Sequence, residues 1–203
     1  LFTQNTAYSI DMTDHGSAAA SSLMNALRAT YDASIAVGYS PLVSTSIYCG
    51  EYSKQQILWV MAGNYAVSQG EYTGAELRQM MEWLVNVKDN GANPIRHRNY
   101  MPVTSGMEYK VTEYEQGKFR LEELTVNGAP LDDTATYTVF VAGIDVWIEN
   151  EVYCNCPMPE NLKAKRTEYA IEGAESRSCL KDSLAVSKQF PAPSEYLTIV
   201  QGE

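Results

Sequence analysis

Histidine, cysteine and serine are the side chains through which a chain of this kind would hold a metal or attack a substrate, and here they are few and poorly spaced. Only His15 and His97 are present. A zinc or dinuclear centre needs several imidazoles and carboxylates at convergent positions, and neither histidine stands in an H-x-x-x-H or H-x-H arrangement. Both read as surface or turn imidazoles, and no metal site is predicted. Ser105, in "VTSGMEY", lacks the first glycine of the G-x-S-x-G turn that exposes a nucleophilic serine. Neither a phosphate-cradling P-loop nor a G-x-G-x-x-G is found. The cysteines are Cys49, Cys154, Cys156 and Cys179. Cys154 and Cys156 stand one residue closer than the C-x-x-C pair that zinc favours. An even count fits disulfides in an oxidising compartment, with free thiols used as small apolar side chains as the alternative; the pairing is open, since four cysteines allow three connectivities. The 203 residues by themselves are therefore expected to be catalytically silent, lacking both dinuclear ligands and a nucleophile with its base.

The elements that would position any binding residue are easier to read. "TAYSIDM" alternates like a strand, residues 17–31 form a helical pattern with Ala20, Leu23 and Leu27 on one face, and "ASIAVGY" reads as a short buried strand. Ser53 and Gln56 fit a capping box before "ILWVM", and "NYAVSQ" reads as a further strand. Thr73 and Glu76 form a second box, before a helix in which Leu77, Met80, Met81, Leu84 and Val87 recur at helical spacing up to about Gly91. Antiparallel strands follow: "YMPVT", "MEYKVTEY", "FRLEELTV" and "YTVFVAG". The last two are joined by a corner in which Asn127-Gly128 accepts positive φ, Pro130 fixes the exit and Leu131 tucks under while Asp132 and Asp133 stay in water. Residues 154–166, broken by two prolines, read as a loop, a helix spans 175–188, and "YLTIV" closes an α+β layout of mixed or antiparallel sheet with packed helices.

Composition narrows the partners. With 45% hydrophobic and 20% charged residues the chain can bury one substantial core, and residues 1–203 read as one domain. A formal charge of −10 repels phosphate backbones and anionic lipid, so nucleic-acid polymers and membrane surfaces are poor partners. A small anion can still bind a local basic pocket, because the field of the whole is screened over about 8 Å. No apolar run reaches the roughly twenty residues of a spanning helix. A chain that begins at Leu1 reads as a piece excised from a larger parent.

The corner "VNGAPLDDTATYTV" resembles the C-terminal domain of the 5'-nucleotidase family, which carries a "v-x-G-x-P-L-d … Y-x-V" pattern; here that is Val126, Gly128, Pro130, Leu131, Asp132, Tyr137 and Val139. Other segments follow in the family's order: "YDASIAV" is similar to its "aDia" strand, "CGEYS" to its "aGeiT" helix start, "YTGAELRQMMEWL" to its "lTGaelkevLE" and "VTSGMEY" to its "qvSGl" strand. The resemblance covers roughly residues 20–142. It implies a parent in which an N-terminal metallophosphoesterase domain holds two divalent metal ions and cleaves a small phosphorylated substrate, while this domain, without a cofactor of its own, supplies the pocket for the rest of that substrate. It also implies an extracellular, cell-surface or periplasmic address. A non-catalytic cell-surface ligand-binding or cell-wall interaction module on the same fold is the alternative.

Three substrate-holding motifs of the family are altered here. Its Asn-Gly-Gly-x-x-Arg is "GYSPLVSTS", with Tyr39 near the amide position and Ser44 near the guanidinium position. Its Pro-Phe-Gly-Asn is "MAGN", with Asn64 kept and Ala62 where a stacking ring belongs. Its Phe-Leu-x-x-Gly-Gly-Asp-Gly is replaced by "GIDVWIENEVY", leaving Asp145 and Trp147 as nearby substitutes. A stacked ring contributes about 1–3 kcal/mol per base, so purine affinity is expected to fall. Tyr39, Ser44, Asn64, Asp145 and Trp147 are the expected substrate-binding residues, on one concave face that is roomier and less cationic than a nucleotide pocket.

Overall fold

The computed structural model describes residues 2–39, 42–85, 101–116, 118–144 and 158–202, and within them the chain is α+β. After strand β1 (Phe2–Gln4), helix α1 (Ala18–Thr30) starts where the Ser17 hydroxyl accepts the Ala20 N–H at 3.3 Å, and it buries Ala20, Leu23 and Leu27 as its spacing predicts. Strand β2 (Ile35–Tyr39) is buried along its whole length, as a continuous apolar run requires. Strand β3 (Gly50–Tyr52) leads into α2 (Lys54–Val60) through the expected capping box, with Ser53 N–H on Gln56 Oε1 at 2.8 Å and Gln56 N–H on Ser53 Oγ at 3.2 Å. Strand β4 (Ala66–Thr73) runs straight into α3 (Gly74–Val85), again boxed by Thr73 and Glu76 at 2.8 and 3.2 Å. Leu77, Met80, Met81 and Leu84 are buried; the expected continuation to Val87 and Gly91 lies outside the described residues.

Strands β5 (Pro102–Ser105), β6 (Met107–Glu115), β7 (Lys118–Val126) and β9 (Thr136–Ala142) match the expected run closely, and the corner between the last two adds the short strand β8 (Ala129–Pro130). Two expectations fail, and one further strand was not foreseen. "TAYSIDM" makes only an isolated bridge between Tyr8 and Ile47 rather than a strand. Part of the expected loop is helix α4 (Glu160–Glu168), which buries only Leu162 and Arg166 and so carries almost no apolar period for a reader to find. Strand β10 (Ala170–Glu175) is added; its mostly exposed residues and shifted register against β4 leave no alternation in the sequence. Helix α5 (Ser176–Ser187) and strand β11 (Leu197–Gln201) complete the chain.

The main sheet has the order β10-β4-β9-β2-β5, a second has β11-β6-β7-β8, and β1 pairs with β3. Helix α1 lies against β2, β5 and α5, whereas α3 packs on β4, β5 and β7 and so joins the two larger sheets. Each fully buried Leu, Ile, Val or Phe of this core contributes about 1.5–3 kcal/mol. The topology has one decisive consequence. Strands β2 and β9 are parallel neighbours, Ile35 opposite Val139 and Val37 opposite Val141, so both finish at the same sheet edge. Strand β4 is antiparallel to β9 with Val67 opposite Ala142, and β10 is antiparallel to β4 with Glu175 opposite Ala66. The turn before β4 and the start of α5 after β10 are thereby brought to that edge too.

Candidate ligand-binding edge

Four stretches far apart in sequence meet at this edge, and their hydrogen bonds show how closely. Ala62 N–H donates to Leu42 O at 2.7 Å, and Val43 and Met61 form a bridge. Gly143, the residue after β9, donates to Ala66 O at 3.2 Å. It has φ +59°, and a Cβ there would lie 2.8 Å from Tyr65 Cβ and 2.9 Å from Leu42 Cδ2. Glycine is therefore required twice over, for its backbone conformation and for its lack of a side chain. Tyr65 exchanges bonds with the start of α5: its N–H donates to Ser176 Oγ at 3.0 Å and its carbonyl accepts the Ser176 N–H at 2.8 Å.

The expected binding residues have different fates. Tyr39 is 1% exposed and lines a small apolar space with Leu23, Met24, Leu42, Met61 and Val103. Nearby, burial pushes the phenol of Tyr109 well above its ordinary value, with Tyr196 and Tyr39 adding to the effect. Ser44 is exposed, but its N–H donates to Val60 O at 2.9 Å and its hydroxyl bonds to Val60 O at 3.2 Å and to Trp59 O. These are last-turn carbonyls of α2, which have no partner inside the helix, so the side chain at the expected guanidinium position closes a helix end. Asn64 is exposed; its Oδ1 accepts the Arg177 N–H at 3.2 Å and its Nδ2 donates to the Glu175 carboxylate. Asp145 and Trp147, with Cys154, Cys156 and His97, lie outside the described residues. Cys49 and Cys179 are free thiols, Cys49 exposed and donating to Asn5 O at 3.3 Å, Cys179 buried.

Two residues that sequence reasoning passed over stand on this edge. Trp59 is 61% exposed on α2, beside Ser44 and three residues before Ala62. Its signal was an aromatic inside "ILWVM", which reads as one more core position. Arg177, in the first turn of α5, donates from Nη2 to Met61 O at 2.9 Å and carries its guanidinium onto the "MAGN" turn. Nothing local could reveal it, because the pairing spans more than a hundred residues.

Among the described residues no group of three or more His, Cys, Asp or Glu could hold a metal ion, and no helix is long and apolar enough to cross a membrane. His15 is exposed, with Nδ1 3.9 Å from Glu195. A dinuclear centre of the kind the family resemblance implies for a partner domain has no fit among these described residues.

The chain superimposes on several solved structures. It resembles a 5'-nucleotidase precursor from Thermus thermophilus with a TM-score of 0.68 and 16% identity, over 100% of this chain and 39% of that one. The sulfate thiohydrolase SoxB of Thermus thermophilus matches at 0.66 and 17% identity, over 98% of this chain and 34% of that one. The NAD nucleotidase of Haemophilus influenzae matches at 0.65 and 12% identity, over 93% of this chain and 34% of that one. These likenesses show the fold, and the chain spans between a third and two fifths of the length of those relatives. No curated protein matches it in sequence. The profile of the family described as 5'-nucleotidase, C-terminal domain, matches residues 4–144. With that match extending over well more than half of its residues, the chain belongs to the 5'-nucleotidase C-terminal domain family.

Proposed function

We propose that the chain is the substrate-specificity domain of an extracytoplasmic, 5'-nucleotidase-like metallophosphoesterase acting on a small phosphate ester. Its partner is an N-terminal domain of the same parent that carries two divalent metal ions. The observation that supports this reading best is the meeting of residues 42–44, 61–64 and 143 at one sheet edge. Those are the segments through which the family resemblance holds substrate. Trp59, Asn64 and Arg177 are the exposed or half-buried side chains with which this edge would contact a ligand. Asp145 and Trp147 are carried forward in the same role. Ala62 in place of a ring and Ser44 in place of a guanidinium favour a ligand other than a purine nucleotide.

The test uses the full-length parent with added divalent metal, assayed on nucleotides, cyclic nucleotides, sugar nucleotides and simple phosphate esters. Turnover of at least one, with none by the 203-residue chain alone, is the expected outcome. A parent inactive on the whole panel would replace this reading with that of a non-catalytic ligand-binding module.

A further inference from the structure

Ser176 N–H goes to Tyr65 O and Arg177 N–H to Asn64 Oδ1, so the first two amides of α5 are engaged and the bare helix start does not offer them to an anion. Asn64 Nδ2 is held by the Glu175 carboxylate, which thereby faces the amide. The guanidinium of Arg177 is different. Arginine carries five N–H donors in a planar fork. Here one of them, on Nη2, donates to Met61 O at 2.9 Å, while Nε is buried with no acceptor among the described residues. Leaving a buried donor unmatched is costly, and such a group calls for an explanation. The Met61 carbonyl fixes the fork's orientation against the "MAGN" turn, which is a pre-set geometry for receiving oxygen atoms.

We propose that Arg177 is the anion-recognising and specificity-determining residue of this edge, receiving phosphoryl oxygens of a small phosphate ester in place of the guanidinium missing at position 44. The proposal rests on the reading of the chain as a substrate-specificity domain. Charge is moved from one segment of the edge to another, so the ligand is gripped from the α5 side and its uncharged part lies toward Ala62 and Trp59.

The experiment titrates the 203-residue chain with ribose 5-phosphate, with ribose as the uncharged partner, at low and high salt. Wild type should bind ribose 5-phosphate saturably and more weakly as salt rises. R177Q should weaken that binding about tenfold or more and leave the response to ribose unchanged. K181Q, which removes the same charge from the same helix, should bind like wild type. Equal weakening by R177Q and K181Q, unchanged affinity in R177Q, or no saturable binding by wild type would each overturn the assignment. A measurement independent of any variant's folding is phenylglyoxal modification of the wild-type chain, mapped by mass spectrometry. Ribose 5-phosphate should slow modification at Arg177 and not at Arg78; equal rates with and without it at Arg177 would also overturn the proposal. Turnover by a full-length parent in which R177Q behaves as wild type would remove the Arg177 assignment and leave the domain reading intact. Binding that depends on Arg177 in a chain whose parent hydrolyses nothing would do the reverse.

Discussion

The corner over 126–136 and the candidate binding edge at the other end of β9 are built on opposite plans. At the corner nearly every polar group has a neighbour close in sequence. Asn127 and Gly128 take φ of 53° and 75°, Leu131 N–H returns to Leu124 O at 2.9 Å, and Asp132 Oδ1 accepts both the N–H and the hydroxyl of Thr134 at 2.9 and 2.7 Å. The unit then locks onto the start of α3, where Gly74 N–H meets Ala135 O at 2.9 Å and Ala75 N–H meets Asp133 O at 3.0 Å. At the candidate edge the bonds to α5 join stretches more than a hundred residues apart, and an exposed tryptophan and an incompletely matched guanidinium remain among the described residues. A scaffold is stable when its donors and acceptors are matched internally. A binding edge has to leave some of that capacity for its ligand.

The sharpest way to break this contrast is at Gly74, where a Cβ would stand 2.1 Å from the backbone oxygen of Asp132. Gly74→Ala should cost on the order of 3 kcal/mol, since backbone on both sides must shift; urea unfolding measures it, and a loss below about 1 kcal/mol would show that the corner has slack. On the opposite side, Asn64→Ala removes the side-chain acceptor for an α5 amide. It should cost about 1 kcal/mol and speed hydrogen exchange in the first turn of α5 while leaving β9 protected. Equal loss of protection in both would mean that the edge and the sheet open together.

A smaller effect belongs to Glu76, beside the corner. Burial raises its carboxyl pKa, but the bonds from Lys165, at 2.6 Å, and Thr73 outweigh it and hold the group below its ordinary 4.5. A folded-state value below the unfolded one stabilises the fold above the unfolded value, and that contribution is lost as the pH falls through the folded value. Glu76→Gln keeps the capping geometry without the charge. It should lower stability by up to about 1 kcal/mol at neutral pH, with the difference from wild type shrinking below pH 4.5. A difference that stays constant through the acid range would assign the effect to packing. The smallest change is expected at Trp59, whose removal should alter unfolding free energy by no more than about 0.5 kcal/mol. A loss above about 2 kcal/mol would make Trp59 part of the core and erase the distinction between edge and scaffold.

Local chemistry by itself determined much of this protein. The two capping boxes, the buried run of β2, the periodic face of α3 and the Asn127-Gly128 turn each depend on side chains within a few residues of one another, so spacing alone specifies them. Helix α4 and strand β10 escaped because they bury little and take their shape from packing against β4. What only the tertiary structure decided is the make-up of the candidate edge. Asn64 and Ser44 were legible as motif positions, yet the hydroxyl of Ser44 closes α2 and Tyr39 is buried among apolar side chains, neither of which a residue type reveals. Arg177 reaches the edge because β10 pairs antiparallel with β4 and delivers the start of α5 beside residues 61–65. Such a meeting is set by strand order and register, and these depend on how distant segments share one core, so no short stretch of sequence encodes it.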